Sequence, residues 1–417
     1  MTRPPRTVLF IVTSFWAYGE LAIATEFAAR MSGSGLHPLF LIPPTHRATV
    51  AAAGLEHQVM IPGSGKINRI LLRDIEHVRR PALVVLADFL NYDFCERHYG
   101  LTRADLSVFG CPVGTFDDFS WGRDGAWMDT YGFPARYQAD ITVAGLDFRL
   151  RPCPLNDPLA EAGAGVHPYA MAEDVTDLPV GERDAVRREL GVRPGRPVVL
   201  VTGATWQRMH AAYPRVTAFV EACHTMLERL LEAVLDHADV LAVGPRLVFR
   251  DREPAGLHAL GPLPPDRFAR LVQAVDLHVS NNIVSVSMHR LALRGVPSVV
   301  LGNSLRKRSG RLHWETSDEP EPTDFALKVL DGVDYLYPCS MFPVGWFHFL
   351  RSLLEGNPFA GMVARVETFD ERGMLETALS LLDDGPRRRA LALARESYLR
   401  ALRKLPDVAT ILREVAA

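Results

Sequence analysis

Cysteine is scarce in this chain: five residues in 417, Cys95, Cys111, Cys153, Cys223 and Cys339, odd in number and widely scattered. That spacing excludes a disulfide framework, and without a CxxC pair or a Cys/His cluster it offers no zinc motif. So sparse a set fits a few buried thiols in a reducing cytoplasm, the expected location. Long apolar runs are missing too. The run Thr7–Val12 is far too short to span a bilayer, no small-residue cleavage site follows it, and no other stretch reaches the roughly 20 apolar residues a membrane helix needs. No integral membrane segment is therefore expected. Charge of one sign is lacking: 46 Lys and Arg against 49 Asp and Glu leave a formal −3, which gives no general attraction to nucleic acid or to anionic membranes. Short-period repeats and low-complexity tracts are absent as well.

What is present fits an ordinary globular protein, 48% hydrophobic and 23% charged, and the length favours two domains. The first half alternates short apolar runs with helical patterns, the rhythm of parallel strands joined by crossover helices. Strands are expected at Thr7–Thr13, His37–Ile42, Gln58–Ile61, Ala82–Ala87, Pro112–Thr115 and Asp140–Val143. Their Val, Ile and Leu content without polar alternation suits strands covered on both faces. Between the first two, Leu21, Ala24, Phe27, Ala28 and Met31 recur at helical spacing, and Gly33 and Gly35 end that helix. A stretch rich in Pro, Ala, Gly and Asp, from Arg151 to about Gly181, reads as transitional. The helix Glu182–Leu190 then opens a second α/β series, with strands at Val198–Thr202, Val240–Val243, His258–Leu260, Leu277–Val279 and Ser298–Leu301. The expected partition is 1–175, 182–385 and a helical tail 386–417. Residues 303–373 are less regular, with a basic cluster at Arg306–Arg308 and Arg311, an acidic stretch Glu315–Asp324 and an aromatic loop Tyr335–Trp346.

Open α/β sheets bind ligands beyond the carboxyl ends of their strands, so the loops after strands carry the candidates. After the first strand come Trp16, Tyr18 and Glu20; a half-buried carboxylate there could act as a general base, or simply complement the helix dipole. Asp88, Asp117 and Asp118 end later strands, and Asp118 could orient a ligand or assist the base. Adjacent aspartates point to opposite sides of an extended chain, which argues against a metal site. In the second half Gly203, Thr205 and Trp206 follow one strand and Gly244–Arg246 the next. Asn281 and Asn282 are expected to cap the helix running through Val286 and Leu291, leaving its N–H groups for a phosphate, with Ser285, Ser287, His289 and Arg290 as further donors. Arg306, Lys307, Arg308 and Arg311 could neutralise a diphosphate or another anion.

Three segments resemble GT-B glycosyltransferases. Ser14–Ile23 is similar to the loop that opens that family's first helix and supplies its base. Gly261–Leu301 is similar to the donor-side block of strand, loop, helix and Gly-Val-Pro turn, here Gly295–Pro297. Arg187–Thr202 matches the start of the second domain. Where inverting members have His after Gly, this chain has Glu20 after Gly19. Where members have His, a Gly-Gly pair, a hydroxyl residue and Glu, it has Asn282, Ile283 and Val284, Ser287 and Arg290. The resemblance implies two Rossmann-like domains with parallel sheets facing across a cleft, and C-terminal helices crossing back to the first domain. It implies sugar transfer, as in natural-product biosynthesis, from a nucleotide-activated donor on the second domain to a small-molecule acceptor on the first. Glu20 and Asp118 would be catalytic. Gly203, Thr205, Trp206, Arg246, Asn282, Ser285, Ser287, His289 and Arg290 would face the donor, and Trp16, Tyr18 and Asp88 the acceptor. No metal and no cofactor is implied, the nucleotide sugar being a substrate. A homodimer is compatible with this scheme. The alternatives on the same scaffold are epimerisation, transfer of a non-sugar group, or a catalytically silent protein that binds a ligand or activates a partner.

Overall fold

The structure, a computed structural model, describes residues 6–87, 92–121, 145–171, 180–214, 216–246, 248–250, 252–315 and 321–417. Its contacts divide the chain into two compact units. The first holds the described residues within 1–125, 140–173 and 399–417, the second those within 174–398.

In the first unit the chain runs β1 (Arg6–Ile11), α1 (Tyr18–Ala29), β2 (Leu36–Ile42), α2 (Arg47–Ala52), β3 (Glu56–Val59), α3 (Gly65–Arg79), β4 (Leu83–Leu86), α4 (Tyr92–Tyr99), β5 (Val113–Phe116), β6 (Phe148–Cys153) and β7 (Val166–Ala170). The strands form one sheet in the order β3-β2-β1-β4-β5-β6-β7, every pairing parallel. Central strands carry no polar alternation because helices cover both faces: β4 is buried at all four positions and β1 at all but Arg6. Phe10 of β1 anchors the core. It stacks on Phe40 of β2 at 5.0 Å and on Phe116 of β5 at 6.3 Å, and meets Phe27 of α1 edge-on at 6.2 Å. Each such pair adds about 0.5–1.5 kcal/mol beyond the area it buries.

β7 and the second half of β6 lie in the stretch expected to be transitional, which corrects that expectation. Burial alternates over the first four residues of β6, and Pro168 sits on β7, an edge strand, where a missing N–H is tolerated. The strand expected at Asp140–Val143 lies outside the described residues.

The second unit continues with α5 (Val180–Glu189), β8 (Val198–Thr202), α6 (Thr205–Ala211), α7 (Thr217–Leu235), β9 (Asp239–Val243), β10 (Leu257–Leu260), α8 (Pro265–Val272), β11 (Leu277–Ser280), α9 (Val286–Arg294) and β12 (Ser298–Gly302). Two small hairpins follow, β13 (Leu305–Arg308) with β14 (Arg311–Trp314) and, after α10 (Asp324–Val329), β15 (Cys339–Met341) with β16 (Gly345–Trp346). Then come α11 (Phe347–Leu354), β17 (Ala364–Glu367), α12 (Glu371–Leu382), α13 (Pro386–Leu402) and α14 (Val408–Val415). The second sheet is also parallel, in the order β10-β9-β8-β11-β12-β17, so both sheets wind outward in the same way from their first strand. The edge strand β17 falls in the region expected to be irregular; three of its residues are half-buried and Arg365 is exposed. α7 is buried along one whole face, from Phe219 through Leu227 to Val234, and seals one side of the sheet.

The boundary between the units falls inside α13, and α14 belongs to the first. Ile411 and Leu412 are fully buried there, Arg413 donates to the Gly33 carbonyl at 3.0 Å, and Arg6 donates to the Ala416 carbonyl at 2.9 Å. Among the described residues no helix is long and apolar enough to cross a membrane.

Candidate functional site

In each sheet the strand order reverses beside its first strand, and ligands of open α/β sheets gather at that switch point, beyond the carboxyl ends. In the first unit the loop leaving β1 is fixed from below by the segment after β2. His46 Nε2 lies 2.9 Å from the Ser14 carbonyl, and Thr45 Oγ1 donates to the Phe15 carbonyl at 3.0 Å. Because a carbonyl only accepts, Nε2 carries the proton, and His46 Nδ1 is left as a buried lone pair with no hydrogen-bond partner. Burial lowers the pKa of His46, so the ring is neutral at physiological pH. Tyr18 opens α1, 47% exposed, and meets His46 edge-on at 4.7 Å. Trp16 is half-buried, and its neighbour Phe15 packs against it at 4.4 Å. Glu20 lies half-buried in the first turn of α1, whose positive end favours a carboxylate. His46 is part of this cluster and escaped the sequence analysis, because an isolated His after a Pro-rich turn has no motif to mark it.

The two aspartates after β5 divide their tasks. Asp117 is fully buried and structural: Arg151 donates to it at 2.8 Å and the Trp121 backbone N–H at 2.6 Å. Asp118, also largely buried, lies near Tyr169, whose hydroxyl is raised well above its ordinary pKa by burial first and by the Asp118 charge second. Two strand spacings, about 10 Å, separate the ends of β1 and β5. Asp88 lies outside the described residues.

In the second unit a cavity of about 250 Å³ opens at the switch point between β8 and β11. Its floor comes from the last residues of the strands, among them Val201, Ala242, Val279 and Leu301, with Leu227 of α7 as a side wall. Its rim is the turns Gly203, Gly244 and Gly261 together with Asn281 and Arg246. Gly244 has φ +105, and a Cβ there would lie 2.2 Å from the Gly203 carbonyl oxygen, so only glycine lets the two turns approach. Arg246 donates to the Arg252 carbonyl at 2.5 Å and pairs with Glu253 at 3.4 Å. Buried Gln207 ties the rim together, its side-chain amide donating to Asn281 Oδ1 at 2.7 Å and to the Phe342 carbonyl at 3.0 Å.

Of the expected donor residues, the cavity takes Gly203 and Arg246; the others stand outside its lining. Thr205 and Trp206 open α6, and Trp206 packs edge-on against His210 at 5.9 Å. One expectation at α9 is corrected. Ser285, not Asn281 or Asn282, is the N-cap; Asn282 Oδ1 accepts from the Val284 N–H at 3.1 Å instead, and the segment is drawn into pairing with β15, the Ile283 N–H donating to the Ser340 carbonyl at 3.2 Å. His289, expected as a further phosphate donor, lies in the core. It is buried with Nε2 3.0 Å from the Ile283 carbonyl and its ring edge-on to Phe359, and burial pushes its pKa down to about 4. Ser285, Ser287 and Arg290 remain half-exposed. The basic cluster after β12 forms the hairpin β13–β14 rather than a loop.

A family model described as a family of unknown function (DUF6365) matches residues 27–417. The chain belongs to this family. No curated protein matches this DUF6365 chain in sequence. Solved structures match it in fold. Spinosyn forosaminyltransferase SpnP is 14% identical over 100% of both chains, with a TM-score of 0.56. Spinosyn rhamnosyltransferase SpnG complexed with thymidine diphosphate is 12% identical over 99% of this chain and 100% of that one, at 0.52. A putative UDP-N-acetylglucosamine 2-epimerase from Listeria monocytogenes is 11% identical over 95% of each, also at 0.52. The DUF6365 chain has the GT-B glycosyltransferase fold, as the segments around Glu20 and Gly295 suggested.

Proposed function

We propose that this chain transfers a sugar from a nucleotide-activated donor, held at the second sheet, to a small-molecule acceptor held by the first unit beside Trp16 and Tyr18. The observation that carries the proposal is the cavity at the switch point of the second sheet. At about 250 Å³ it is smaller than the roughly 300–1,000 Å³ that encloses a whole ligand, and its floor is apolar. It therefore suits one flat ring, a nucleobase, with the charged remainder of the donor outside. SpnG's complex with thymidine diphosphate supports this choice of ligand class. Glu20 takes the acceptor's proton as the acceptor attacks the sugar carbon and the bond from that carbon to the nucleotide's phosphate oxygen breaks, releasing the nucleotide, and Asp118 orients the acceptor. Neither step, as written, calls for a metal.

Thermal unfolding with nucleosides and nucleotide sugars is the test. A ligand at 100 times its Kd raises stability by about 2.7 kcal/mol, and replacing Ala242 by Trp to fill the cavity should abolish that gain. With a turned-over acceptor in hand, Glu20→Gln should lower kcat by about 10²- to 10⁴-fold at unchanged donor affinity. No shift with any nucleotide would sink the proposal, and full turnover by Glu20→Gln would remove the base.

A second reading is epimerisation of the donor itself, favoured by Ile283 and Val284 standing where transferases have a Gly-Gly pair, and by their segment's pairing with β15. A nucleotide sugar converted to its epimer with no acceptor present would establish it.

A further inference from the structure

β12 runs almost directly into β13, so the β13–β14 hairpin leaves the second sheet at the same end as the cavity. Directly opposed residues of an antiparallel pair share a face, as do residues two apart on one strand. Arg306 stands opposite His313, and Arg308 opposite Arg311. One face of the hairpin thus gathers three guanidinium groups and an imidazole. Only one carboxylate answers them among the described residues: Glu315 pairs with Arg306 at 2.7 Å and with Arg308 at 3.6 Å. His348, at the start of α11, approaches the same group, its Nε2 3.3 Å from Arg306 Nη2. Arg311 has no ion pair among the described residues, and the Nε2 of His313 is buried without a hydrogen-bond partner. The arrangement is held by the turn rather than by attraction. Ser309 (φ +48) and Gly310 (φ +77) are both left-handed, the geometry of a tight two-residue hairpin loop, and they keep Arg308 facing Arg311. Like charges directly opposed weaken a strand pair. An anion between them removes that repulsion.

We infer that this face of the hairpin is a binding site for a phosphate or diphosphate group. Guanidinium forks match phosphate oxygens two at a time, and among the described residues three of them share a single carboxylate, an excess of two positive charges that suits a dianion. The site stands on the hairpin alone and does not depend on the transfer reaction proposed above.

The experiment uses the full chain at constant ionic strength. Inorganic phosphate and pyrophosphate are titrated while thermal unfolding is followed, for the native protein and for an Arg308→Gln, Arg311→Gln double variant. Both residues are solvent-exposed and repel each other, so the variant should unfold at or slightly above the native temperature without ligand. The expected result is a saturable rise in Tm for the native chain and an affinity at least about tenfold weaker in the variant. A response to nucleoside, which reports the cavity, should be the same in both proteins, so failure here is distinguishable from failure of the transfer proposal. Should the double Gln variant not fold, Arg308→Lys with Arg311→Lys keeps the charge, loses the fork and should bind pyrophosphate more weakly than native. No saturable response at constant ionic strength, or equal affinity in native and variant proteins, overturns the inference.

Discussion

Three histidines of the second unit are kept neutral by the fold. His278 is held at about pH 3 and His224 and His289 at about 4, in each case chiefly because burial disfavours the charged ring. Their folded pKa values lie below the unfolded 6.5, so the unfolded chain takes up protons first as the pH falls. Stability is therefore complete above pH 6.5 and declines below it until the folded values are reached, by about 2 kcal/mol per histidine between pH 6.5 and 5. Urea midpoints measured across that range should drop steeply; a midpoint flat from pH 7 to 5 would contradict the burial assigned to these rings. The same residues show what single positions disclose. His289 reads as a phosphate ligand when counted from the loop, yet it adjoins the stripe Met288, Leu291 and Ala292, whose helical spacing turns that face inward. Periodicity, not loop position, places the ring in the core. Asp118 stands out in the sequence as a candidate, but its separation from Asp117 does not, because Arg151, 34 positions from Asp117, decides which of the two is structural.

At the scale of elements, most of the central strands could be read from the chain, since short β-branched apolar runs such as Leu83–Leu86 suit strands covered on both faces. The edge strands β7 and β17 could not, since half-burial mixes polar residues into them and removes the signal. The start of α9 was misjudged for a related reason: pairing with β15, nearly 60 positions later, sets its N-cap, and no local pattern encodes such a partner. The glycine turns around the cavity give the sharpest element-level prediction. Gly244→Ala must force a side chain into φ +105 and onto the Gly203 carbonyl, whereas nothing lies within 4 Å of a Cβ at Gly261. Replacing Gly244 by Ala should therefore lower unfolding stability by more than about 1 kcal/mol and weaken nucleoside binding, while Gly261→Ala should change stability by less than about 0.5 kcal/mol. Equal behaviour of the two variants in urea unfolding would mean that the turns do not pack as described.

For the whole molecule, the two-sheet architecture follows from the repeated strand–helix rhythm, and both strand orders place their switch points next to a first strand. Chain order nevertheless hides one structural dependence. α14 is the last element in sequence, separated from β1 by nearly the entire chain, yet it completes the core and edges of the first unit through Val408, Ile411 and Leu412. Its amphipathic pattern announces a buried face but not the body that buries it. Truncating Ile411 to Ala leaves a cavity in that core and should cost about 2–5 kcal/mol. The loss should fall on the unit that holds α14: hydrogen exchange should show β1 and β2 losing protection while β8 and β9, in the second unit, keep theirs, because cooperative units open separately unless their cores are shared. Loss of protection confined to β8 and β9, or shared equally by both sheets, would show that the C-terminal helix stabilises something other than the first unit, and the partition of the chain at α13 would have to be redrawn.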